Sequence, residues 1–106
     1  MKRVEIGFGI GMDKHSNPVH YHPRLQNLII EKATREFGGV SMWEVSGGWN
    51  SPNDGPVFEQ GRIIRLDGVA DDEDLQRAKD FALWVKELLQ QQSIVFSVQV
   101  VGLSFI

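Results

Sequence analysis

VSMWEVSGGW (residues 40–49), SPNDGP (51–56) and VFEQGRIIRL (57–66) form the stretch on which the fold turns. The outer segments are rich in β-branched and aromatic residues and the middle one is a dense run of turn formers, so together they read as a hairpin. On its N-terminal side Leu25, Leu28, Ile29, Ala33 and Phe37 recur at helical spacing behind Pro23, and Gly38 and Gly39 supply a left-handed stop. On its C-terminal side Asp67 and Gly68 end the hairpin. Asp71, Asp72, Glu73 and Asp74 then crowd the start of a second helix, where negative charge favours the positive end of the macrodipole. Leu75, Ala78, Ala82, Val85 and Leu89 give that helix a buried stripe, widened by Phe81 and Leu88.

Two strands flank this middle. Val4, Ile6, Phe8 and Ile10 alternate with Glu5, Gly7, Gly9 and Gly11, the period of two of a strand with one buried face. Ile94, Phe96, Val98 and Val100 alternate with Val95, Ser97, Gln99 and Val101, which places a last strand within residues 94–106. The order strand, helix, strand, strand, helix, strand is the split βαβ arrangement. The expected fold class is α+β, ferredoxin-like βαββαβ: a four-stranded antiparallel sheet with two helices on one face, one domain over residues 1–106. The other sheet face is left open for solvent, a ligand or a second copy.

Composition narrows the function classes. The 106 residues contain no cysteine, which excludes a disulfide scaffold, a thiolate metal site and a cysteine nucleophile. Eleven Lys and Arg against 14 Asp and Glu leave a net charge of -3, and no basic run occurs, so no nucleic-acid polymer is expected as partner. The N-terminus lacks the basic-then-apolar layout of a signal peptide and no apolar run is long enough to span a bilayer, so the expected location is cytoplasmic, without membrane attachment.

Each motif has a functional and an ordinary reading. The glycines at 7, 9 and 11 lack the G-x-G-x-x-G spacing and the following helix of a dinucleotide loop; on one strand face they instead permit close approach by a flat ligand, a neighbouring side chain or another protomer. His20 and His22, with His15 nearby, are the only clustered potential metal ligands, but a catalytic zinc shell is not visible around them, and helix capping or acid–base and anion contacts explain them without metal. No metal and no cofactor are expected. Glu59 can act as a general base or accept ligand N–H groups, or it can pair with Arg62 or Arg65. Trp43 and Trp49 suit stacking on a planar ring, with Arg62 or Arg65 meeting a phosphate or carboxylate, although strand tryptophans more often build a core or an oligomer contact. An RNA-recognition module shares the strand order, but its basic-aromatic sheet motif is missing from residues 57–66.

Phe37 to Ser41, then Gly47-Gly48-Trp49, Asp54-Gly55 and Glu59 with an apolar strand behind it, resemble the pattern of a group of small uncharacterised bacterial and phage proteins. Gln91 to Val95 and Ser104-Phe105 occupy the places of that pattern's closing Gln-x-Ser-Val helix exit and final Ser-Phe. The resemblance covers about two thirds of the chain and departs from the pattern in the His15–His22 loop. It implies a ferredoxin-like fold and no assigned activity, and the compact cysteine-free form looks like that of a phage accessory protein.

The expected function is therefore an oligomeric small-molecule-binding protein. Its partner would be a small planar anionic ligand or a host protein, its site would draw on Gly7, Gly9, Trp43, Trp49, Glu59, Arg62, Arg65, His20 and His22, and self-association would be homo-oligomeric. In a phage setting it would sequester a nucleotide-like signal or counter a host defence from the host cytoplasm. Two alternatives stand beside this: a cofactor-independent dimeric ferredoxin-like enzyme, oxygenase or isomerase in type, using His20, His22 or Glu59, and a protein-binding inhibitor.

Overall fold

The computed structural model describes residues 2–53, 55–102 and 106, the side chains of residues 49 and 51 excepted. The elements run β1 (Lys2–Gly9), α1 (Pro23–Phe37), β2 (Val40–Ser51), β3 (Gly55–Val69), α2 (Asp72–Leu88) and β4 (Val95–Val100). All strand pairs are antiparallel, in the order β2-β3-β1-β4. This is the α+β ferredoxin-like arrangement that the sequence predicts.

Local chemistry accounts for the helix ends. His22 caps α1, its Nδ1 accepting from the Arg24 N–H at 3.2 Å, and Pro23 follows where no N–H is needed. Gly38 closes the helix at φ 80°, a conformation costly for any residue with a Cβ. Asp71 caps α2 by accepting from the Asp74 N–H, and the Asp74 carboxylate accepts from the Ala70 N–H, a reciprocal cap. The acidic cluster at residues 71–74 is thus helix-start chemistry.

One face of the sheet carries the core. Val4, Ile6 and Phe8 of β1 and Ile64, Leu66 and Val69 of β3 pack against Ile29, Ala33 and Phe37 of α1 and Ala78, Phe81, Ala82 and Val85 of α2. Leu28 and Leu88, placed by periodicity in the apolar stripes, are exposed at 47% and 36% because each stripe is wider than the sheet surface it covers. Opposite Arg3, β3 carries one residue more than β1: Lys2 pairs with Val69 and Val4 with Leu66. Gly68 lies in that bulge, where a Cβ would run into the Phe37 carbonyl oxygen.

Two boundaries differ from the sequence reading. β1 ends at Gly9, so Gly11 belongs to the following loop, and β4 spans Val95–Val100 rather than reaching toward the C-terminus. β2 and β3 are longer than expected, because the turn formers at 51–56 are partly drawn into the strands: Ser51 pairs with Gly55 at φ 73° and Asn50 with Pro56. β1 pairs with β3 only as far as Gly61, so residues 55–60 with 46–51 project as a two-stranded ribbon. The molecule measures 47 × 27 × 25 Å with a radius of gyration of 14.7 Å, against about 13 Å for a compact chain of this length.

Candidate functional site on the open sheet face

Register decides which side chains share the face without helices. Paired residues lie on the same face, so the row Trp43–Ile63–Gly7–Val95 crosses all four strands on the open side. The adjacent row is Val45–Gly61–Gly9, and the next is Gly47–Glu59. On the other side of the apolar row lie Ser41–Arg65–Glu5–Ser97. The glycines lower the floor: a Cβ at Gly7 would only touch Val95 and Ile63, at 3.6 and 3.9 Å, leaving a shallow shelf walled by those two side chains.

The electrostatics of the shelf follow from its pairs. Arg65 donates to Glu5 at 3.1 Å and lays its guanidinium over Trp43, 5.0 Å from the ring centroid. Arg3 donates to Asp67 at 2.9 Å. Both open-face arginines are therefore neutralised, and each pair is partly screened by protein. Glu59 is the remaining charge: it is exposed and forms no ion pair among the described residues.

The structure brings Gly7, Gly9, Trp43, Glu59 and Arg65 onto one face. It does not bring Arg62 there. Arg62 is opposite Phe8 and Glu44, on the helix side, where its Nη2 pairs with Glu44 at 3.1 Å, its Nη1 donates to the Gly61 carbonyl at 3.0 Å and its guanidinium covers Tyr21 at 5.2 Å. Burial pushes the Tyr21 hydroxyl upward in pKa, and the neighbouring Arg62 charge opposes this. The expected pairing of Glu59 with Arg62 or Arg65 is not formed, because each arginine is held by another carboxylate, Glu44 or Glu5. His22 is occupied as a helix cap, and His20 is exposed in the loop before it. Among the described residues no three His, Asp or Glu side chains converge as metal ligands. The side chain of Trp49 lies outside the described residues, as do Asp54, Ser104 and Phe105.

One residue of this region escapes functional reading at the sequence level. Gln91 follows α2 and is the one buried polar side chain among the described residues, 8% exposed. Its Nε2 donates to the carbonyl oxygens of Met12 and Leu89, at 3.0 and 3.2 Å, fastening the loop after β1 to the end of α2. Its Oε1 lies 3.4 Å from the position a Cβ would take on Gly9. In the sequence Gln91 is one of three consecutive glutamines, and only its place in the family pattern singles it out.

In its fold the chain is similar to a phage SAM lyase and to CutA. The phage SAM lyase, solved in complex with S-methyl-5'-thioadenosine, superposes with a TM-score of 0.64 at 16% identity, covering 92% of this chain and 79% of that one. CutA1 from Pyrococcus horikoshii gives 0.63 at 10% identity over 99% and 87% of the two chains. The PII-like protein CutA from Nostoc sp. PCC 7120 in apo form gives 0.57 at 16% identity over 95% and 81%. No protein-family model and no curated protein matches the sequence. At these identities the likeness is one of architecture. No helix of the described residues is long and apolar enough to cross a membrane.

Proposed function

We propose that this chain is a self-associating small-molecule-binding protein that holds a planar, nucleoside-like ligand on the open sheet face. The observation that carries the reading is the row Trp43–Ile63–Gly7–Val95, an apolar shelf whose floor is bare backbone and whose exposed end residue, Val95, is 66% accessible. A flat ring gains dispersion and apolar burial on such a surface, and Trp43, stiffened by Arg65, supplies a stacking partner. The sequence predicts an anionic ligand, but with Arg62 turned to the helices and Arg65 paired to Glu5, the described residues of the face offer no free cation to meet one. Its free charge is the Glu59 carboxylate. That favours a ligand bearing N–H donors or positive charge. A phage SAM lyase of similar fold was solved with S-methyl-5'-thioadenosine, which supports trying that ligand class first here.

Self-association is supported by the projecting ribbon. A two-stranded ribbon is marginal in isolation, and this one exposes Phe58 at 87% on the helix side of its plane. A second copy packed along it would bury Phe58. If the chain is phage-encoded, withdrawing a nucleoside-like signal or countering a host defence is the use this reading gives it.

The test is isothermal titration with adenosine, S-methyl-5'-thioadenosine and S-adenosylmethionine, beside sedimentation analysis of the free protein. Saturable binding that weakens at least about fivefold in Trp43→Ala supports the reading, as loss of a stacking partner worth about 1–3 kcal/mol predicts. No binding of any of the three, or binding indifferent to Trp43, refutes it. A catalytic alternative rests on the exposed Glu59 carboxylate and is read from the same mixtures: consumption of S-adenosylmethionine by mass spectrometry, abolished in Glu59→Gln, identifies turnover.

A further inference from the structure

Gly9 is the place where two acceptor oxygens meet. A Cβ built on it would lie 2.5 Å from Glu59 Oε1 and 3.4 Å from Gln91 Oε1, so both oxygens lie within 3.4 Å of one point above bare backbone. Neither oxygen has a donor among the described residues. The orientation of the Gln91 amide is fixed by its other end: Nε2 faces the carbonyl oxygens of Met12 and Leu89, and a flipped amide would set an oxygen against both. Oε1 is therefore left facing the notch above Gly9, where Glu59 Oε1 also lies. Both oxygens are open to solvent rather than sealed, and a donor with two protons placed over Gly9 can meet both.

We infer that Glu59 and Gln91 form an acceptor pair that binds the primary amino group of the ligand, with one N–H to each oxygen. The inference rests on the open-face reading for where the rest of the ligand lies. The notch adjoins the shelf, one row from Ile63 and Gly7, so a flat ring lying on the shelf can direct a ring amino group over Gly9. The bond to Glu59 is charge-assisted and the bond to Gln91 is held by a side chain already immobilised at two carbonyls, so little ordering is needed on binding. Gly9 is part of the recognition: any side chain there would occupy the amino group's position.

The same two-proton chemistry can come from a ring amino group or from an aliphatic ammonium, and paired probes separate them. Adenosine is compared with inosine, whose 6-oxo group presents a third acceptor to the notch, and S-adenosyl-L-homocysteine with S-methyl-5'-thioadenosine, which lacks the amino-acid ammonium. Titrations use 15N-labelled protein, following the Gly9 amide, the Gln91 side-chain amide and the Trp43 indole, with Glu59→Gln in parallel; this substitution removes charge from an exposed, unpaired side chain and leaves the fold alone. The inference expects adenosine to shift Gly9 and Gln91, inosine to bind at least about tenfold more weakly, and Glu59→Gln to cost adenosine a similar factor. Preference for S-adenosyl-L-homocysteine over S-methyl-5'-thioadenosine, lost in Glu59→Gln, with adenosine and inosine equal, supports the same pair serving an ammonium. Shifts at Trp43 with none at Gly9 or Gln91, or affinities indifferent to Glu59, overturn the inference and leave the shelf reading intact. Shifts at none of the three sites overturn both.

Discussion

Gly9 and Gly61 face each other across β1 and β3, yet the same substitution should act on them in opposite ways. A Cβ at Gly61 would stand 2.6 Å from the Phe8 carbonyl oxygen and 3.5 Å from Val45. The first of these is backbone in the central strand pair, which can retreat only by distorting the ladder. At Gly9 the obstacle is the free end of the Glu59 side chain, which can swing into solvent. Overpacking against fixed backbone costs about 1–3 kcal/mol, and replacing a strand glycine by alanine returns about 0.5–1 kcal/mol. Gly61→Ala should therefore lose up to about 2.5 kcal/mol, or roughly 10–20 °C in Tm at the upper end, using about 4–8 °C per kcal/mol for a domain of this size. Gly9→Ala should stay within about 1 kcal/mol of the parent, on the stabilising side, while losing nucleoside affinity because the carboxylate is evicted from the notch. Urea denaturation followed by circular dichroism at one fixed protein concentration gives both values, with the slope checked for constancy. Equal destabilisation by the two alanines, or a Gly61→Ala protein as stable as the parent, would show that the close approach of Gly61 to Phe8 does not govern this sheet.

Arg62→Ala should lower stability by about 1 kcal/mol, since Glu44 across from it is 82% exposed and a pair of that kind contributes little, and it should leave ligand affinity unchanged; a tenfold affinity loss would put Arg62 at the ligand after all. Phe58→Asp should leave the monomer's denaturation midpoint intact but shift sedimentation toward the monomer, and an unchanged oligomer distribution would remove the ribbon from the interface. Ile64→Ala removes a fully buried side chain at the centre of β3 and should cost about 2–5 kcal/mol in urea titration. Asp13 is held below its ordinary pKa of 3.8, first by the Asn17 N–H donating to its carboxylate and further by the N–H of His15. Because the folded value is the depressed one, this contribution is complete above the unfolded carboxyl's pKa and is lost as pH falls through the folded value. Protection of the His15 and Asn17 amides, relative to their intrinsic exchange rates, should fall in that acid range, and protection unchanged there would contradict the assignment.

The helices and the hairpin were legible because each rests on a local pattern: apolar residues at helical spacing behind Pro23, acids ahead of Leu75, turn formers between two β-rich runs. The common face of Trp43, Glu59 and Gly9 needed more. It depends on cross-strand register, which the turn geometry fixes and periodicity alone leaves open. Arg62 and Arg65 are three residues apart in one strand, an odd spacing that sends them to opposite faces; that parity was in the sequence, and grouping both with the tryptophans overlooked it. Beyond its place in the family pattern Gln91 gave no functional signal, because its importance comes from the Leu89 carbonyl and the distant Met12 carbonyl, which together turn its oxygen toward Gly9. The helix-capping role of His22 was readable, since a residue just ahead of Pro23 sits where the first N–H groups need an acceptor.

β1 is made first but occupies an interior position of the sheet, between β3 and β4. During synthesis its one edge waits for residues 61–69 and its other for residues 95–100, so synthesis must pass residue 100 before Lys2–Gly7 is paired on both sides. Until then the strand carries Val4, Ile6 and Phe8 without a complete cover. Such long-range pairing makes for slow folding, and it leaves the nascent protein prone to mispairing until β4 has left the ribosome.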